Sequence, residues 1–335
     1  MIITEALMKR REFMALAGAA VITAPGAGFA QTPDRALRVA LVGPNGPLPE
    51  SAPFTKLLLG GLAQLGYTPG HNMVFEGPRG GAGTPDELPH LMEQLKASKA
   101  DVIVVYGYPT SIAAKAAGIP TVVGFGVGDP VATGLVVNLA RPEGNITGIS
   151  DVATTLSTKR LGLLQALLPK LHRVAMLWNK DDLGMSLRYD ASAKAAEAMG
   201  VEVTAVGVRD PDDFNEAFAV MDREPPDAIL MVSDSLTMLN RKRVFDYAAM
   251  HRLPAIYEYD PLVHEGGLMS YGPDLKESFE RAASMVDRIF KGAKPSDLPF
   301  EQPTRYLFVI NLKTAKSIGL EIPPTVLALA DDVVE

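Results

Sequence analysis

The stretch Leu37-Arg38-Val39-Ala40-Leu41-Val42-Gly43-Pro44-Asn45-Gly46 decides the fold. An apolar run short enough for a strand enters a Gly/Pro/Asn turn. Phe54, Leu57, Leu58, Gly61, Leu62 and Leu65 then recur at helical spacing, and Gly66 ends the pattern. Strand, turn and helix in that order start a parallel sheet with crossover helices. Working outward, Met73 to Phe75, Val102 to Tyr106 and Pro120 to Gly124 read as further strands. Leu88, Leu91, Met92 and Leu95 mark a helix between them. The alternation restarts with strand candidates at Arg173 to Trp178, Val201 to Val206, Ala228 to Val232 and Pro254 to Tyr257. Asp210-Pro211 reads as a cap and first-turn proline for a helix carrying Phe214, Ala217, Phe218 and Met221. Asp274 and Glu277 read as a capping box for a long helix through Phe290. The class is α/β, with two similar open-sheet lobes. Turn chemistry places chain crossings between them at 134–148, at 259–267 and at 295–303.

Composition narrows the function. Of 335 residues, 47% are hydrophobic and 21% charged, an ordinary globular usage that favours two domains over one core. Lys and Arg number 32 against 39 Asp and Glu, and the net charge of −7 argues against phosphate-backbone binding, so no nucleic-acid partner is expected. With 0 Cys there are no disulfides, thiolate metal sites or cysteine nucleophiles. Lys9-Arg10-Arg11-Glu12-Phe13-Met14, the small and apolar residues to Ala24, and Gly28 and Ala30 have the three parts of an export signal of twin-arginine type. Its apolar part, about eleven residues, is too short to span a bilayer that needs about twenty. Residues 1–30 are therefore expected to be cleaved near Ala30, leaving an exported, soluble chain.

No G-x-S-x-G elbow, H-E-x-x-H helix or P-loop occurs, and the five His are scattered without ligand spacing. Gly124, Gly126 and Gly128 lack the following helix of a dinucleotide loop, since Asp129-Pro130 comes next. Catalysis, cofactor and metal are thus not expected. The loops after the strands, where open α/β sheets hold ligands, are instead rich in gripping residues: Asn45, Tyr108, Thr110, Ser111, Phe125, Asp129, Asn179, Ser233, Asp234, Tyr257 and Glu258. Aromatic and polar neighbours together suit a ligand with an apolar body and a charged, amino-acid-like head. Several have a structural role open to them as well. Thr110 and Ser111 either cap a helix or offer its positive end to a carboxylate, Asp234 either caps a helix or binds, and Asp129-Pro130 is also a plain turn. Glu258 or Asp234 is the expected partner of a ligand ammonium.

The motifs KRREFM (9–14), GYPTSIAAK (107–115), GVGDPVATGLVVNLARPEGNITG (126–148), LPAIYEY (253–259), EGGLMSYGPDL (265–275), IFKGAKPSDLPFEQPT (289–304) and VINLKTAKSIGLEIPP (309–324) resemble the ABC transporter substrate-binding proteins related to the tryptophan and tyrosine binders. The resemblance implies a type I periplasmic binding protein: two Rossmann-like lobes joined by three crossings, 35–148 with about 267–297 and 149–262 with about 303–335. It implies a small-molecule ligand closed between the lobes, delivery to the membrane permease of an ABC importer from the periplasm, a monomer, and no cofactor. A ligand-binding protein for a chemoreceptor or sensor kinase and, at greater distance, an exported hydrolase are the alternatives. The chain departs from the family pattern around Tyr108-Pro109, Asn179-Lys180 and Ser233–Leu236, so aromatic amino-acid specificity is not carried over with the scaffold.

Overall fold

The computed structural model describes residues 35–44, 46–77, 85–151 and 153–335. The expected export segment and Asn45 lie outside them, and the account below concerns the unit Ala36–Glu335. The opening stretch forms β1 (Leu37–Val42), in which Val39, Ala40, Leu41 and Val42 are all fully buried. A strand apolar on both faces needs helices above and below it, and it has them. Val39 and Leu41 face α1 (Pro53–Gln64), while Ala40 and Val42 face α2 (Leu88–Ala97) and α3 (Tyr108–Ala117). With β2 (Met73–Phe75), β3 (Val102–Tyr106), β4 (Thr121–Phe125) and β5 (Ile146–Gly148) it makes a parallel sheet in the order β2-β1-β3-β4-β5.

The second sheet is built the same way from β6 (Arg173–Asn179), β7 (Glu202–Val208), β8 (Ala228–Met231), β9 (Ala255–Tyr257), β10 (Met269–Pro273), β11 (Tyr306–Asn311) and β12 (Asp332–Val334). Its order is β12-β11-β10-β9-β8-β6-β7, and all pairs are parallel except β10 with β11. Val174, Met176 and Leu230 pack against α4 (Ala153–Leu167) and α5 (Leu183–Ala198). Ala175, Leu177 and Ile229 pack against α6 (Asp213–Arg223) and, across α7 (Ser235–Leu239), against α8 (Arg241–His251). The fold is α/β, with two parallel-sheet lobes.

Three crossings join the lobes; the last lies where the turn chemistry suggests, and the first two do not. Residues 134–148 stay in the first lobe, where Leu135, Val136 and Ile146 are core, and the chain leaves it just after, at 149–151. Residues 260–264 form α9 (Asp260–His264) within the second lobe. The return comes after β10, when α10 (Leu275–Phe290) lays Phe279, Ala282, Ala283 and Val286 onto the first lobe's core. Met269–Pro273 thus belongs to the second sheet, and the expected return near 267 moves to about Asp274. The last crossing follows Glu301, whose backbone pairs with Ile149. Two helix starts also differ. Asp210 closes a turn onto the N–H groups of Asp212 and Asp213 ahead of α6. Asp274 accepts from Lys276 and Glu277 N–H, but Glu277 turns its carboxylate to Thr304 and Arg281 instead of back to the cap.

Candidate functional site

Open α/β sheets present the carboxyl ends of their strands to ligands at the point where strand order reverses. Here both lobes do so toward one another, and a cavity of about 270 Å³ lies between them. The first lobe contributes Leu48, Phe54, Tyr106, Phe125 and Gly126; the second contributes Asp182, Ser233, Asp234, Met238 and Tyr259. The first lobe's side is an aromatic wall. Tyr106 and Phe125 stack at 5.1 Å between centroids, Phe54 meets both edge-on at 5.2 and 5.1 Å, and Tyr259 from the second lobe meets Phe125 edge-on at 5.4 Å. Gly43 makes room for this wall: a Cβ there would fall 2.1 Å from the Tyr106 hydroxyl. Burial pushes that hydroxyl up to about 12, so it stays a neutral donor.

The second lobe's side is polar and negative. Asp182 is 4% exposed and caps α5 through the Met185 N–H, and burial, then the neighbouring Asp234, push its carboxyl up to about 6. Asp234 caps α7 in a full capping box with Thr237 and takes a 2.7 Å hydrogen bond from Asn179 Nδ2, while burial raises its carboxyl. Among the described residues neither carboxylate has an ion-pair partner, and the buried Ser233 hydroxyl beside them has no hydrogen-bond partner. A buried hydroxyl without a hydrogen-bond partner and two carboxylates without an ion pair on one wall suit a cationic, hydrogen-bonding guest.

Behind this wall runs a buried ion network. Arg188 of α5, 2% exposed, pairs with Asp151 in the first crossing and donates to Glu258 Oε2 at 2.6 Å. Arg160 of α4 donates to Glu258 Oε1 at 2.9 Å and to the Tyr271 carbonyl at 2.7 Å. Two guanidiniums and two carboxylates balance one another. The network also holds cavity and lobes in place: Glu258 accepts from Ser233 N–H at 3.0 Å, Tyr259 donates its hydroxyl to Asp151 at 2.9 Å, and Asp151 accepts from Gly128 N–H of the first lobe at 2.7 Å. Burial and Asp151 keep the Tyr259 hydroxyl protonated for that bond.

The candidates from sequence separate accordingly. Phe125, Ser233 and Asp234 line the cavity, and Asn179 supports Asp234. Tyr108 lies where the lobes touch, with its hydroxyl on the Thr133 carbonyl. Glu258 does not await a ligand ammonium, because Arg160 and Arg188 occupy both its oxygens. Tyr257 is core, 1% exposed in β9 and outside the cavity. Asp129 caps its own turn onto Val131 and Ala132 N–H. Thr110 and Ser111 are fully buried under the start of α3 and do not line the cavity; Ser111 bonds the Gly107 carbonyl at 2.8 Å. Trp178 stacks on Tyr189 within the second lobe at 3.7 Å. Sequence reasoning missed Phe54, Asp182 and the part of Tyr106 and Tyr259 in the wall. The one available signal for Asp182 was its place after β6.

Gly184 sits within the first turn of α5, where glycine costs about 1 kcal/mol relative to alanine. The reason is close approach on both sides: a Cβ there would lie 3.2 Å from Asp182 Oδ1 in its own lobe, and 3.3 Å from the Val127 carbonyl and 3.5 Å from Tyr108 Cβ of the first lobe. Gly184→Leu is expected to wedge the lobes apart and weaken ligand binding about tenfold or more. Gly162→Leu, at a position with open space, is the control, and calorimetric titration of both variants checks it.

Among the described residues no cluster of His, Cys, Asp or Glu is placed to hold a metal ion, and no helix is long and apolar enough to cross a membrane. Comparison with known proteins agrees with this architecture. Residues 54–334 match the family model of the ABC transporter substrate binding protein. The tyrosine-binding protein of Clostridioides difficile (strain R20291) is 24% identical over 262 residues, 78% of this chain and 74% of the relative. A conserved domain protein from Vibrio cholerae superposes with a TM-score of 0.81 at 24% identity, over 89% of this chain and all of the other. An ABC domain from Streptococcus pneumoniae in complex with L-Trp gives 0.79 at 24% identity, over 90% of this chain and all of the other. This chain belongs to the ABC transporter substrate-binding protein family.

Proposed function

We propose that this protein is the exported receptor of an ABC importer, that it captures a small amine with an apolar or aromatic body between its lobes, and that it catalyses no reaction. Residues 1–30 then serve as the export signal, and the three crossings as the hinge on which the lobes close. The observation that carries the reading is the juxtaposition of Asp182 and Asp234, without an ion-pair partner, with the Phe54–Tyr106–Phe125 wall in one interlobe cavity. Ammonium and ring of one ligand would meet both lobes at once, which is what closure requires. The relatives that bind tyrosine or hold L-Trp make aromatic amino acids the first ligands to try. Differential scanning fluorimetry against the amino acids and simple aryl amines tests this, since a binder gains thermal stability with ligand concentration. No shift with any amine overturns the reading.

The same carboxylates set a pH dependence. A proton and a ligand ammonium compete for Asp182, whose carboxyl is raised from 3.8 to about 6. Affinity is expected to be level above about pH 7 and to fall about tenfold per unit as pH drops below about 6. In the unliganded protein the sign is opposite: a folded carboxyl that holds its proton more tightly than the unfolded chain makes stability fall as pH rises from 3.8 to about 6. The ligand-induced gain in melting temperature should therefore grow with pH across that window. A gain that shrinks instead excludes Asp182 from the site.

A further inference from the structure

A second concavity of about 570 Å³ lies on the second lobe, and it shares two residues with the interlobe cavity: Arg241 and Glu265. These two are paired with each other through Arg241 Nε and a Glu265 carboxylate oxygen. Among the described residues, Arg241 and Glu265 are the ones that border both spaces. Their ion pair is an easily opened one, with side chains 35% and 48% exposed, a setting in which ion pairs are worth little. Arg241 is tethered, donating to the Met238 carbonyl at 2.7 Å at the end of α7, whereas Glu265 stands on the short turn after α9, ahead of Gly266. Glu265 is thus the part that can swing. Beyond the pair the groove is of mixed character: the part-exposed Phe245 and Leu253 form an apolar strip beside Lys242 and Asp246, with Phe245 edge-on to Tyr257 at 5.3 Å. Volume points the same way. The interlobe cavity, at about 270 Å³, is at or below the small end of ligand sites, about 300 Å³, and the groove beyond the pair is larger than the cavity itself.

We propose that this groove is a subsite for the apolar tail of an elongated ligand whose ammonium is held at Asp182 and Asp234, and that the Arg241–Glu265 pair is the gate the tail passes. The inference rests on the interlobe cavity being the ligand site. It assigns the preferred ligands to long-tailed amines, including amino acids with extended apolar side chains, in addition to compact aromatic ones. The strip of Phe245 and Leu253 supplies tail affinity and the gate sets the length at which that affinity begins.

Calorimetric titration of the full chain with L-phenylalanine as the compact probe and L-2-aminodecanoic acid as the long one tests it. Two variants separate gate from groove. Glu265→Ala opens the gate, and Ala249→Trp fills the groove from an exposed position on α8 that the interlobe cavity does not touch. The expected result is tighter binding of the long probe than of the compact one by about tenfold or more in the wild type. Ala249→Trp is expected to abolish that difference without changing affinity for L-phenylalanine, and Glu265→Ala to preserve or enlarge it. If the long probe is no tighter than the compact one in both wild type and Glu265→Ala, or if Ala249→Trp weakens both probes equally, the subsite is overturned while the cavity reading stands. If neither probe binds any of the three proteins and aryl amines fail as well, the cavity reading falls and the subsite with it.

Discussion

Arg188→Met is expected to destabilise the protein by about 3–5 kcal/mol, the cost of stranding buried carboxylates after one partner is removed. Arg188 is 2% exposed and is paired with both Asp151 and Glu258, which are 2% and 1% exposed. A methionine fills the volume and leaves two acids facing each other without the guanidinium between them. Arg160 still neutralises Glu258 through Oε1, so Asp151 bears most of the loss, and the double variant Arg188→Met, Asp151→Asn should cost clearly less than the sum of the two single changes. Chemical denaturation of the set measures this. By contrast, Arg223→Met at the exposed pair with Glu216 should change stability by about 0.5 kcal/mol or less. Because Glu258 and Asp151 also hold Ser233 and Tyr259 on the cavity wall, ligand affinity should fall along with stability in Arg188→Met. A variant with native stability would mean that the network is not formed as described.

Converting both cavity carboxylates to amides, Asp182→Asn with Asp234→Asn, is expected to weaken binding of an amine ligand about a hundredfold or more, with each single change costing about tenfold. Asparagine is as good an N-cap as aspartate, so α5 and α7 keep their caps, and Asn179 keeps an acceptor at residue 234. Stability of the unliganded protein should hold or rise, since two repelling, desolvated acids have been removed. A loss of affinity without a loss of stability is the signature of a ligand contact, and the reverse would be that of a structural one.

The scaffold was legible where a strand is an unbroken apolar run, because burial on both faces leaves no room for polar residues. Val39–Val42 and Val102–Val105 announce their strands in this way. Strand β10 was not legible: Met-Ser-Tyr-Gly-Pro carries turn residues and stands at the antiparallel seam with β11, and its pairing is fixed by neighbours distant in sequence. That is also why the second crossing was misplaced. The site was legible in its loops and not in its roles. Glu258 reads as a ligand partner because it stands in a loop after a strand between two tyrosines; the cations that occupy it are supplied from helices 98 and 70 residues away, a distance no local pattern spans. Asp182 was hidden in the run Asn179-Lys180-Asp181-Asp182, which reads as a surface turn, and becomes a site residue only through its approach to Asp234 across the lobe. Phe54 was taken for core spacing in α1, and it does pack on Phe279 at 5.8 Å while its ring also faces the cavity.

Calorimetric titration of the wild type and of the Asp182→Asn, Asp234→Asn double variant with L-tryptophan, L-tyrosine and 2-phenylethylamine near neutral pH bears most directly on capture of an amine between the lobes. The expected result is that the wild type binds at least one of the three in the micromolar range or tighter and that the double variant, equally stable, loses that binding by about a hundredfold. Binding that survives the double substitution unchanged, or a wild type that binds none of them, would contradict it.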